Sequence, residues 1–236
     1  MRLDKLLVHM GYGSRKDVKQ LLKKKIVSVD DTILTKGDSQ VNPETQAIYV
    51  KDEKIKYESE VYLMLHKPSG VISATEDALH QTVLDFVPTS LNHMHLFPVG
   101  RLDKDTEGLL FLTNDGQMNH RITSPKHGVP KKYYAHIAGE VEASSIELFK
   151  EGVTLDDGYH TKPGHLKIIN SGEITEIELI ITEGKFHQVK RMFESIGKEV
   201  VYLKRLAIGE ITLDESLNPG EIRKLSKEEI HYLKQL

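Results

Sequence analysis

The sequence predicts an α+β protein in two parts, a small N-terminal α/β module followed by a larger domain on a mixed, largely antiparallel sheet. Three observations carry that expectation. Positive charge is concentrated at the N-terminal end, a charge-dense stretch divides the chain, and beyond it short apolar runs follow one another through hairpin-like connections more often than strand-helix-strand crossovers. The division falls between residues 1–58 and 59–236.

A chain of 236 residues is long enough for a small domain joined to a medium one. With 39% hydrophobic and 28% charged residues its composition is that of a soluble protein, no apolar run approaches a membrane span, and no secretory signal opens it. It has no Cys, which excludes disulfide and thiolate chemistry and permits a reducing, cytoplasmic setting. The net charge of -3 excludes a uniformly basic nucleic-acid binder. Residues 1–25, however, hold Arg2, Lys5, Arg15, Lys16, Lys19, Lys23, Lys24 and Lys25 against Asp4 and Asp17, a local net charge of +6. Counterion release depends on the contacting face, so this asymmetry points to a local phosphate-binding surface.

The first elements are helical. Arg2 to Leu7 has helical spacing and Gly11-Tyr12-Gly13 ends it, after which Ser14 and Asp17 read as a capping box opening a second helix. Val18, Leu21 and Leu22 form its apolar stripe, with Arg15, Lys16, Lys19 and Lys23 elsewhere on the helix. Val27-Ser28-Val29 and Ala47 to Val50 read as short strands. This order, with the Arg2-Leu3-Asp4-Lys5 opening and the Ser14-Arg15 pair, resembles the S4 RNA-binding domain, although Asp30-Asp31 stands where that family usually has Asn-Gly. The resemblance implies RNA contacts from Arg2, Lys5, Arg15, Lys16, Lys19 and Lys23; taken alone, the same helix face reads also as a solvated one. Lys51 to Glu60 is rich in charge and poor in core residues, and reads as a linker.

In the second part Val61 to Leu65 reads as a strand and His66 to Val71 as a turn, with Lys67 either a phosphate contact or a solvated lysine. The stretch from Gly100 to Gly116 is central: a crowded polar loop runs into Leu109-Leu110-Phe111-Leu112-Thr113, which reads as a strand buried on both faces. Asp103 therefore stands at the mouth of a rigid element, although by residue type alone it reads as a turn aspartate. Met118 to Ile122 reads as a short helix and Ser124 to Pro130 as a rigid loop. Alternation then puts Tyr133 and Ala135 on one strand face and Lys132, Tyr134 and His136 on the other. Ile174 to Thr182 reads as a strand leading to a helix whose apolar face is Phe186, Val189, Met192, Phe193 and Ile196, with Gln188, Lys190 and Arg191 outward. Val200 to Leu213 supplies strands, and Ser226 with Glu229 caps a closing helix. The histidines, His93-Met94-His95 included, lack the Cys partners and helical spacing of a zinc site, so no metal is expected.

Several of these segments resemble one family. Arg101-Leu102-Asp103 with Thr106 and Gly108-Leu109-Leu110, the His66-Lys67-Pro68-Ser69-Gly70 turn with His66 for the usual Asn, Lys131-x-Tyr133, the Glu183 to Phe193 run and Leu203 to Gly209 are similar to the pseudouridine synthases that modify ribosomal RNA. The resemblance implies that Asp103 is catalytic, that Tyr133 packs on the target uracil, and that Lys185 forms an ion pair with Asp103. It also implies RNA contacts from Lys67, Arg101, Lys131, Gln188, Lys190 and Arg191, a monomer, and no cofactor. The His120 to His127, Gln188 to Phe193 and Gly209 to Asp214 segments look most like the RsuA-like small-subunit branch, which implies 16S ribosomal RNA, at uridine 516, as free RNA or an assembly intermediate. A large-subunit 23S enzyme of the same family, a non-catalytic ribosome-assembly factor, and a glycoside-type hydrolase using Asp105 beside Asp103 are the alternatives.

Overall fold

The computed structural model describes residues 1–55 and 57–236. Contacts divide them into two units, 1–61 with 87–96 and 62–86 with 97–236.

In the first unit, helices α1 (Leu3–His9) and α2 (Arg15–Lys23) cover a four-stranded antiparallel sheet of order β2-β1-β3-β4, with β1 Val27–Val29, β2 Thr32–Ile33, β3 Ile48–Val50 and β4 Glu53–Lys54. The capping box forms as expected: Ser14 Oγ accepts from Asp17 N, and Asp17 accepts from Ser14 N at 2.9 Å. Leu3, Leu6, Leu7, Val18 and Leu22 meet Val27, Ile48 and Val50 in one core. Both short hairpins need positive φ at two successive residues, supplied by Asp30-Asp31 (47° and 64°) and Lys51-Asp52 (50° and 66°). Asp30 offsets part of that strain by accepting from Ala47 N at 2.9 Å. The expected linker, 51–60, is therefore a hairpin at its start, and Ile55 and Tyr57 pack on the core. Its Lys56 lies outside the described residues. Residues 87–96 join this unit through His93, which lies so close to Gly11 that a Cβ there would sit 2.8 Å from the imidazole.

The second unit is organised around β5 (Tyr62–Lys67), β6 (Phe97–Pro98), β7 (Glu107–Thr113), β8 (Lys131–Ala138), β9 (His165–Asn170), β10 (Ile174–Ile181), β11 (Val200–Ile208), β12 (Ile211–Thr212) and β13 (Ile222–Lys224). Their main order is β13-β5-β7-β11-β8-β10-β9, with β6 paired to β7 and β12 to β11. Every pairing is antiparallel except β7 with β11. Strand β7 is buried from Gly108 to Thr113, as its apolar run predicts. Helix α3 (Gly116–Thr123) follows because Asp115 caps it, accepting from Gln117 N at 2.9 Å and Met118 N at 3.0 Å while Tyr62 donates to it at 2.9 Å. Helix α3 and the closing α6 (Lys227–Gln235) pack Met118, Ile122 and Leu233 on Tyr62, Met64, Leu109 and Phe111. Helices α4 (Ser144–Glu151) and α5 (Gln188–Glu194) meet through Phe149 and Phe193, whose ring centroids are 5.0 Å apart. Among the described residues no helix is long and apolar enough to cross a membrane.

Candidate active site

Asp103 lies in the loop that enters β7, and that loop is clamped from both sides. Ser73 Oγ donates to Leu102 O at 2.9 Å and accepts from Leu102 N at 3.0 Å. On the other side Lys67, fully buried at the end of β5, spends all three N–H bonds on carbonyls: Pro68 O at 2.9 Å, Lys104 O at 3.2 Å and Thr106 O at 2.8 Å. Gly70 N adds a bond to Lys104 O at 2.8 Å. The expected phosphate contact at Lys67 is thus corrected: the ammonium is inside the protein and holds the Asp103 loop. Burial pulls its pKa down to about 8.

The Asp103 carboxylate is a quarter exposed, 3.5 Å from His187 Nε2 and 3.8 Å from Lys190 Nζ. Lys190 also reaches both oxygens of Asp105 at 2.7 Å, and that bond holds the Asp105 carboxyl below its ordinary pKa. The ion pair expected from Lys185 is not formed; its Nζ sits 4.4 Å above the Tyr159 ring. The turn before α5 explains why. Glu183, almost fully buried, accepts from Tyr159 Oη at 2.7 Å, Lys162 N at 2.9 Å and Gln188 Nε2 at 2.8 Å, while Gln188 Oε1 accepts from Lys185 N at 2.8 Å. These bonds draw Lys185 toward Tyr159 and bury Gln188, which corrects its reading as an outward RNA contact. They also leave His187 at a left-handed φ of 49°. Phe186, expected on the apolar helix face, precedes the helix and is 74% exposed, stacked on His187 at 3.7 Å.

Asp103, Tyr133, Lys185, Arg101 and Lys131 all line one pocket of about 120 Å³. Strand alternation is as read: Lys131, Tyr133, Ala135 and Ile137 point inward, and Tyr134 is on the other face, donating to Glu176 at 2.5 Å. Lys131, expected as an RNA contact, is a buried residue of the pocket wall with Nζ on Ile122 O (3.2 Å) and Val129 O (2.8 Å), and burial pulls its pKa down to about 8. Arg101 is exposed at the rim. Arg191 is engaged by Asp156 and Asp157. In the first unit Arg2, Lys5, Arg15, Lys16, Lys19 and Lys23 are all exposed, Arg2 pairing with Asp4 at 2.6 Å.

Three polar pocket residues that fall within the quoted motifs, His187, Thr106 and Arg205, are given no role by the sequence reading. Arg205 is on β11 beside Tyr133 of β8 and opposite Gly108 of β7. The signal for it was present, since Leu203, Arg205 and Ala207 alternate inward and the middle one is charged. Among the described residues no group of three or more His, Asp or Glu side chains is arranged to hold a metal ion.

Residues 61–195 match the family model described as RNA pseudouridylate synthase, and residues 1–46 match the S4 domain. An uncharacterized RNA pseudouridine synthase of Bacillus subtilis, YtzG, is 48% identical over 236 residues, covering 100% of this chain and 99% of the relative. The ribosomal small subunit pseudouridine synthase A of Vibrio cholerae is 43% identical over 231 residues, 98% of each. Among solved structures, a crystal structure of a pseudouridylate synthase superposes with a TM-score of 0.70 at 38% identity, covering 99% of both chains.

Proposed function

The chain belongs to the RNA pseudouridylate synthase family, and from that premise we propose that it isomerises a uridine of small-subunit 16S ribosomal RNA, uridine 516, to pseudouridine. The full-length similarity to ribosomal small subunit pseudouridine synthase A is the observation that carries the substrate choice. The proposal includes action in the cytoplasm, by a monomer, on small-subunit RNA or an assembly intermediate.

In this reading Asp103 acts on the uridine, with its orientation held by Lys190 and His187 from one side and its loop held by Lys67 and Ser73 from behind. A stacked uridine must leave its helix to reach a pocket this small, so the base flips in and packs on Tyr133, with Arg101 at the rim beside the strand. Lys185 lines the same pocket and contributes positive charge at its wall without pairing to Asp103. The exposed basic face of α2 supplies affinity through phosphates, which place the RNA without specifying it. The division of labour follows the chain, with an RNA-binding part at 1–58 and a catalytic part at 59–236.

Deleting the gene and mapping pseudouridine in both ribosomal RNAs tests the substrate. Loss of a small-subunit site is expected; loss of a large-subunit site with the small-subunit site retained would overturn the target and leave the chemistry standing.

A further inference from the structure

The pocket holds two polar atoms that the mechanism has not used. Arg205 is 4% exposed, and its Nε donates to Leu109 O at 2.8 Å. Its Nη2 is buried and has no hydrogen-bond partner among the described residues, and the same is true of Thr106 Oγ1. Both residues line the pocket. No carboxylate among the described residues forms a salt bridge with Arg205, and Asp103 is engaged instead by Lys190 and His187. A buried guanidinium without a counter-charge is costly, and a buried donor left unmatched adds to the cost. Lys131, the other cation on this part of the pocket, does not share that state, because two carbonyls accept from it.

Geometry says what would match the free donor. Arg205 is the direct cross-strand neighbour of Tyr133, on the same inward face of the sheet. A planar base packed on Tyr133 turns an edge toward the adjacent strand position, and the edge of uracil away from C5 and C6 offers two exocyclic oxygens that accept hydrogen bonds on either side of the N3–H that donates one. We infer that Arg205, with the Thr106 hydroxyl beside it, donates to an exocyclic oxygen of the flipped uracil and so fixes the base's orientation over Asp103. The inference rests on the RNA pseudouridine synthase reading and does not depend on which ribosomal RNA is the target. Where that oxygen is O4, a guanidinium there also opposes a base with an amino group in its place, and Arg205 then contributes to selection of uracil.

Sulfur accepts hydrogen bonds weakly, so thio substitution probes the contact. The test is single-turnover pseudouridine formation on RNA carrying uridine, 2-thiouridine or 4-thiouridine at the modified position, by the wild type, Arg205→Lys and Arg205→Gln. Wild type is expected to lose about 10- to 100-fold in rate with one of the two thio substrates, the range for a hydrogen bond from a charged donor. Arg205→Gln is expected to lose a similar factor on uridine and to show no further loss on that thio substrate, with RNA affinity unchanged. Arg205→Lys is expected to recover part of the rate. A wild type indifferent to both thio substitutions would overturn the inference whether or not the variants fold. So would thio penalties that persist undiminished in a folded Arg205→Gln protein. A wild type that forms no pseudouridine on any uridine RNA would instead overturn the reading beneath it, and the inference with it.

Discussion

Replacing Lys67 by Met keeps an unbranched stem as far as the ε position and removes the ammonium, which isolates the role of its three hydrogen bonds, two of them to the catalytic loop. Each accepting carbonyl loses a bond of 2.8–3.2 Å, although Lys104 O keeps its bond from Gly70 N. At a net ~1 kcal/mol per bond the loss is about 3 kcal/mol, which for a domain of this size lowers Tm by about 6–12 °C. Because the lost bonds fix Lys104 and Thr106 on either side of Asp105, kcat should fall more than RNA affinity. The pH dependence adds an internal check. The folded pKa of about 8 lies below the ordinary lysine value of 10.5, so the native state releases this proton first as pH rises. Between those values the unfolded chain binds more protons than the native one, and stability due to Lys67 grows with pH. The Tm advantage of wild type over Lys67→Met, followed by calorimetry, should therefore widen from pH 8 toward pH 10.5 and be constant below pH 8. A Met variant as stable and as active as wild type, or an advantage that shrinks over that window, would refute the argument that this lysine is inside and holds the loop.

Gly108→Ala should destabilise by about 2–5 kcal/mol in denaturant titration, because φ is 106° and a Cβ would lie 2.2 Å from Arg205 O across the parallel β7–β11 pair. Normal stability would mean the two strands are farther apart than described. Tyr133→Ala should cost about 10- to 100-fold in single-turnover rate, the worth of one base stack, and Tyr134→Ala far less, since Tyr134 bonds Glu176 on the opposite face. Equal losses would put the base elsewhere. Replacing Lys16, Lys19 and Lys23 together by Gln should flatten the salt dependence of RNA binding by up to about 2 log units per log unit of salt, with single-turnover kcat unchanged at saturating RNA. An unaltered slope would make the α2 face a solvated surface.

What the sequence made legible was local. The capping boxes at Ser14 and Ser226, the buried run of β7 and the alternation of Tyr133 and Tyr134 each depend on neighbours a few residues away. What it hid depends on distant partners. Lys67 reads as a surface lysine because two of the three carbonyls that solvate it come from 37 and 39 residues further along. Gln188 reads as outward because its inward bonds go to a turn outside the helix, and the bond to Glu183 becomes possible only when Tyr159 and Lys162 help to bury that carboxylate. Motif resemblance placed Lys185 against Asp103, whereas the structure keeps it on the pocket wall over Tyr159 and brings Lys190 to the carboxylate, since which cation reaches it depends on the path of one turn and not on residue type. Arg205 was visible as a charge at an inward strand position, and only the packing of β11 between β7 and β8 shows it to be beside Tyr133.

The most direct test of the account is pseudouridine formation by purified wild type and Asp103→Asn on ribosomal RNA from a strain lacking the gene. The substitution removes one charge at nearly constant volume in a carboxylate that lines the pocket and bears no structural load beyond its contacts with His187 and Lys190. Wild type is expected to convert one uridine, and Asp103→Asn to bind the RNA with similar affinity while forming no pseudouridine. Substantial turnover by a pure Asp103→Asn preparation would contradict the assignment of the chemistry to this carboxylate.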